Sequence, residues 1–106
     1  MASKPKLSLT QSPTFRAKCK IPVPGDKAAE VEFIFKARTR QEFKEFIEGL
    51  TDREDADVVM DIASGWELED AYTKENVEKL TQNYLGAARA IIEKYLSELT
   101  NARLGN

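Results

Sequence analysis

The side chains best suited to chemistry in this sequence are a crowd of carboxylates, one thiol and a row of cations. Asp52, Glu54, Asp55, Asp57 and Asp61 lie close enough in the chain to raise the question of a cation site. A calcium loop needs alternating acids, a central glycine and a closing glutamate. No glycine falls between Asp52 and Asp61. With Glu45 and Glu48 before them, these acids fit the wet sides of consecutive helices, so a solvated acidic face is the reading adopted. Cys19 is the single cysteine, and the chain has no histidine. The thiol therefore lacks the usual partner base, and the commonest metal ligand is missing. Gly25-Asp26-Lys27 has no second glycine at the distance a phosphate-binding loop or dinucleotide fingerprint requires. The expectation is a protein that is not an enzyme and uses no cofactor and no metal.

The cations are more suggestive. Residues 1–40 hold nine Lys and Arg against Asp26, Glu30 and Glu32, whereas residues 41–106 hold seven against fifteen acids. Arg16, Lys18 and Lys20 alternate along one segment, with Lys36 and Arg38 nearby. Two-stranded ribbons enter DNA grooves, and phosphates reward such charge. A small nucleic-acid-binding regulator is thus the alternative reading. Against it, Phe15, Phe33 and Phe35 fall in the opposite register, which leaves no stacking platform beside the cations. A charged outer face also keeps an edge strand soluble. The same asymmetry allows the two halves of the chain, or two copies of it, to attract each other.

The elements that must position these groups follow from periodicity. Residues 1–13 read as a flexible tail, with only Leu7 and Leu9 as large apolar residues. Phe15, Ala17, Cys19, Ile21 and Val23 alternate with polar residues and predict a strand. Pro22 makes it an edge or ends it. Pro24-Gly25-Asp26 marks a turn, and Val31, Phe33 and Phe35 predict a returning strand. Two strands alone are marginal, so their apolar face must pack on helices.

Thr39 and Glu42 have capping-box spacing before Phe43, Phe46, Ile47 and Leu50, an inward stripe. Thr51 and Glu54 have the same spacing and predict a second helix with Val58, Val59, Ile62 and Ala63 inward, stopping at Ser64-Gly65. Trp66 to Tyr72 reads as a loop. Thr73 caps a third helix with Val77, Leu80 and Tyr84 inward. Gly86 either breaks it or is absorbed. A long last helix carries Ala88, Ile91, Ile92, Tyr95, Leu96 and Leu99, and Asn101 to Asn106 is expected to fray. Hairpin first and helices after predict an α+β fold, mainly helical, with an N-terminal antiparallel β-hairpin on about four α-helices. Residues 14–106 form one domain in this reading. No segment suits a membrane span, and the lone cysteine suits a reducing compartment.

The stretch from Ser64 resembles the tail assembly chaperones of long-tailed bacteriophages. The resemblance is carried by Gly65-Trp66 and an acidic loop, then Thr73-x-x-Asn76-Val77-x-x-Leu80, then Tyr84-Leu85-Gly86-Ala87. It continues through a long helix with Tyr95 and the end Ala102-x-x-Gly105-Asn106. The step from Phe33-Ile34-Phe35-Lys36 into Thr39–Leu50 is also similar. Leu85 departs from the pattern, standing where relatives often carry proline, which lets the third and fourth helices run closer to continuous. The resemblance implies an α+β chaperone that coats the tape measure protein, recruits tail tube subunits and is absent from the finished virion. It implies recognition of a helix in an apolar groove. Trp66, Leu68, Tyr72 and Tyr84 are the candidate partner contacts, since large aromatic and apolar side chains anchor interfaces. Trp66 could instead plug the core, and Tyr84 and Tyr95 could be core residues with wet hydroxyls. Self-association through the last helix is a further expectation.

Overall fold

The computed structural model describes residues 4–100. The expected fraying of Asn101 to Asn106, and the Ala102-x-x-Gly105-Asn106 end, lie outside the described residues. The elements run β1 (Thr14–Ile21), β2 (Ala29–Lys36), α1 (Arg40–Glu48), α2 (Asp55–Ile62), β3 (Ala63–Trp66), α3 (Lys74–Asn83) and α4 (Ala87–Thr100). The fold is α+β: a three-stranded antiparallel sheet in the order β1-β2-β3, backed by helices.

The hairpin follows the alternation that predicts it. β1 and β2 pair without a slip from Thr14↔Lys36 to Ile21↔Ala29. Ala17, Cys19, Ile21, Val31, Phe33 and Phe35 all point inward and are buried. The connecting turn closes with the Asp26 amide donating to the Val23 carbonyl at 3.0 Å. Gly25 has a φ of 77° in that turn, a conformation other L residues resist. Residues 4–13 carry neither helix nor strand and are exposed, Leu7 at 82% and Leu9 at 98%.

The second helix, expected to run to Ser64-Gly65, stops at Ile62, and Trp66, expected to open a loop, ends a strand. Ala63–Trp66 is instead a third strand, with Phe33↔Trp66, Ile34↔Gly65 and Phe35↔Ala63 paired across a bulge. Pairing to β2, not local propensity, makes Ala63-Ser64-Gly65-Trp66 extended. Gly65 lies close under Ile34, where an added Cβ would stand a tight 3.2 Å from Ile34 Cδ1 and the isoleucine would have to shift.

The helices depart from expectation at three points. At α1 the capping box forms as predicted: Thr39 Oγ1 accepts from the Glu42 amide at 3.1 Å, and Glu42 Oε1 accepts from the Thr39 amide at 2.8 Å. Yet only Phe46 of its stripe is buried, while Phe43 and Leu50 are half-buried and Ile47 is 41% exposed. The helix lies at the margin, so amphipathicity gives it an inward face without enough neighbours to cover it. The second box does not form. Asp52 has a φ of 65°, which turns the chain away between Thr51 and the helix. α2 starts after Glu54 with no side-chain cap, and Asp55 and Asp57 sit at its positive end. Its inner face of Val58, Val59 and Ile62 is buried as predicted, whereas Ala63, expected on the same helix, is buried as the first residue of β3.

Thr73 caps α3, accepting from the Asn76 amide at 3.1 Å. Tyr84, expected inward, follows the last turn of α3 and is 37% exposed. Gly86 breaks the helical run. An added Cβ there would lie 2.9 Å from Pro22 Cγ, so the turn between α3 and α4 presses against the end of β1. α4 packs on β1 and α2 and buries Ala88, Ile91 and Tyr95, leaving Ile92 and Leu96 half-buried. A single buried cluster joins the inner sheet face to α2, α3 and α4, with Phe46 as its link to α1.

Candidate functional site

The richest polar chemistry converges where β2 leaves the sheet. The Arg38 guanidinium donates to Tyr95 Oη at 2.7 Å and to Asp61 Oδ1 at 3.0 Å, and lies 4.5 Å over the Phe46 ring. Tyr95 Oη donates onward to the Lys36 carbonyl at 2.8 Å. Arg53 closes on the other Asp61 oxygen at 2.9 Å. Burial alone would raise the Asp61 pKa. Hydrogen bonds and charge from Arg53 and Arg38 outweigh it and hold the carboxyl below its ordinary value. Every strong group here has a partner, so the hollow of about 460 Å³ beside it offers a ligand little. The junction ties α1, α2 and α4 to the sheet.

The other candidate groups do not assemble into a site. Asp57 pairs with Lys74 at 3.2 Å. No group of three metal-ligating side chains converges among the described residues. Cys19 is fully buried, and desolvation pushes its thiol up to about 12, which leaves it protonated and inert at neutral pH. On the outer sheet face, Arg16 is held between Glu32 at 3.0 Å and Glu67 at 2.8 Å. Lys18 lies across from Glu32 and Lys20 across from Glu30. The cationic row is thus interleaved with carboxylates, which removes much of its attraction for phosphates.

The apolar candidates behave differently. Trp66 packs edge-on against Phe33 and Tyr72, with ring centroids at 5.9 and 5.1 Å. Its Nε1 donates to the Asp70 carbonyl at 2.7 Å. That bond closes the segment after β3 into a compact loop and holds Leu68 outward, 38% exposed. Trp66, Leu68, Leu80 and Tyr84 line one open groove of about 270 Å³, with Asp70 and Lys79 on its rim. Three of the four expected contacts, Trp66, Leu68 and Tyr84, therefore meet at one place. Trp66 does two things at once: it is wedged on the core and presents a half-buried edge to the groove.

Tyr72 does not line the groove. Its hydroxyl proton is shared between the Val59 and Ala63 carbonyls at 3.2 and 3.1 Å, and burial pushes its pKa up to about 12. It braces Trp66 from behind. Sequence reasoning missed Arg38 as the organiser of the junction. It also passed over Leu85, which is 89% exposed next to Tyr84. A large apolar residue in a short turn between helices was the signal available for it.

Fold and site together define an α+β scaffold whose paired junction charges serve its own architecture and whose open groove sets Trp66, Leu68, Leu80 and Tyr84 among Asp70, Asn76, Lys79 and Asn83. A family model for the phage tail assembly chaperone matches residues 1–106, the whole chain. The chain belongs to that family. Comparison with curated proteins and with solved structures found no match. No described helix is long and apolar enough to cross a membrane.

Proposed function

We propose that the protein binds the tape measure protein, recruits tail tube subunits to it and leaves before the virion is complete, acting in the host cytoplasm. The supporting observation is the groove of Trp66, Leu68, Leu80 and Tyr84 on a member of the tail assembly chaperone family. A tape measure helix has an apolar stripe that aggregates until the tube encloses it. A shallow groove with a tryptophan floor, apolar contacts from Leu68, Leu80 and Tyr84 and a polar remainder can cover one or two turns of that stripe and release it to a competitor. Residues 14–106 act as one binding domain in this reading, and no bond is made or broken.

Co-expression tests it. The full chain should keep a tape measure protein soluble and co-purify with it. Leu68→Ser/Tyr84→Ser should lower that affinity at least tenfold, as loss of two apolar contacts at an interface does. A chain that captures no tail protein at all would sink the reading. Nucleic-acid binding is a separate outcome: a gel shift that fades steeply with rising salt would revive it.

A further inference from the structure

Residues 39–52 leave the core and return to it at one point. Arg38 and Arg53 stand on either side of this excursion, and both bind the Asp61 carboxylate of α2, at 3.0 and 2.9 Å. The excursion is therefore closed at its neck by one side chain, and α1 makes up most of it.

α1 itself holds to the fold by little. Phe46 is its single buried side chain, with its ring 5.9 Å from that of Tyr95 and under the Arg38 guanidinium. Among the described residues, no side chain from Arg40 to Glu48 makes a hydrogen bond or ion pair to another element. The bonds they do make are local, in the Thr39–Glu42 cap and between Gln41 and Glu45. Hollows of about 460 and 470 Å³ flank the helix, one lined by Glu45, Gly49 and Arg53, the other by Phe43 and Leu99. By contrast, α2 buries Ala56, Val58, Val59 and Ile62, and α4 buries Ala87, Ala88, Ile91 and Tyr95.

We propose that residues 39–52 form a flap that opens as one unit, with α1 leaving Tyr95 and melting, while the sheet, α2, α3 and α4 stay folded. A helix of 9 residues does not persist alone in water, so undocking and melting are one event. Opening gives up one buried ring and uncovers the edge of another. Arg38 and Arg53 stay on Asp61, so the disturbance stops at the neck. Such a segment is a separate cooperative unit of low stability.

Amide hydrogen exchange of the full chain, followed by NMR, tests this. The amides of Phe43 to Gly49 should share one protection factor, at least a hundredfold below those of Ile91 to Tyr95, and one shallow dependence on dilute urea. Graded protection indifferent to urea is fraying of the helix ends and overturns the proposal. Val77→Ala changes a buried residue of α3, which packs on α2 and α4. It destabilises the closed and open forms alike, so protection in α4 should fall at least tenfold while that in α1 stays unchanged. An equal fall in both would make α1 part of the global unit and overturn the flap. Phe46→Ala should lower protection across α1 about a hundredfold and leave the sheet and α4 amides protected. Unfolding of the whole chain by Phe46→Ala, or α1 protection indifferent to it, also overturns the proposal.

Discussion

The Arg38 junction and the Trp66 groove use similar residues to opposite ends. Both set an aromatic ring beside charged side chains. At the junction, Arg38, Asp61, Arg53 and Tyr95 satisfy one another completely. At the groove, the Trp66 indole is satisfied by the Asp70 carbonyl, but Leu68 and Tyr84 stay open and the Asp70 carboxylate has no partner among the described residues. Charge at the junction is architectural, whereas the groove leaves apolar surface uncovered for a partner.

The comparison breaks most severely at Tyr95. Its ring is fully buried and lies 5.3 Å from Phe35 and 5.9 Å from Phe46. Tyr95→Ala should cost about 4 kcal/mol of stability, the usual loss for a large buried ring. Tyr95→Phe keeps the ring but leaves Arg38 and the Lys36 carbonyl one partner short, and should cost about 1–2 kcal/mol. Urea titration measures both. Equal losses in the two variants would mean that the hydroxyl, not the ring, holds the core.

Asp61 comes next. Its carboxylate is about one-third exposed and bridges Arg38 and Arg53. Asp61→Asn should cost about 1–2 kcal/mol, less than a fully buried pair because solvent screens it. The sign of the pH effect follows from its depressed pKa in the folded state. A carboxylate held below its unfolded value of 3.8 contributes stability above that pH. It loses that contribution as pH falls toward the folded value. The native protein should therefore weaken in acid more steeply than Asp61→Asn. Parallel acid curves would show that the bridge adds nothing.

These partners also show what the sequence could and could not reveal. The hairpin was legible because Phe15 to Val23 and Val31 to Phe35 alternate over lengths that only a strand explains. The α1 and α3 caps were legible because Thr39 and Thr73 act on amides three residues away. β3 was not, since Ala63-Ser64-Gly65-Trp66 has no alternation of its own and becomes a strand only by finding β2, some thirty residues back. Arg38 was not, because Tyr95 lies 57 residues further along. Gly86 was ambiguous until Pro22 stood against it. An apolar stripe gives the direction a helix faces but not whether anything waits there, which is why Ile47 and Tyr84 were misplaced inward. Of the residues chosen by type, Trp66, Leu68 and Tyr84 line one groove, whereas Tyr72 lies behind it because its hydroxyl takes carbonyl partners that no spacing announces.

The smallest effect on stability is expected at the groove, and it sharpens the comparison most. Leu68 and Tyr84 are more than one-third exposed, and neither side chain has a described hydrogen bond. Leu68→Ser/Tyr84→Ser should therefore change the free energy of unfolding by no more than about 0.5 kcal/mol. Trp66 emission in the unbound variant should stay close to native, because the Asp70 carbonyl and Tyr72 hold that ring without them. The two substitutions remove surface the fold does not use. A loss of 2 kcal/mol or more, on the scale of buried apolar side chains, would place Leu68 and Tyr84 in the core after all. The groove would then be a packing feature like the junction, and the distinction between the two regions would fail.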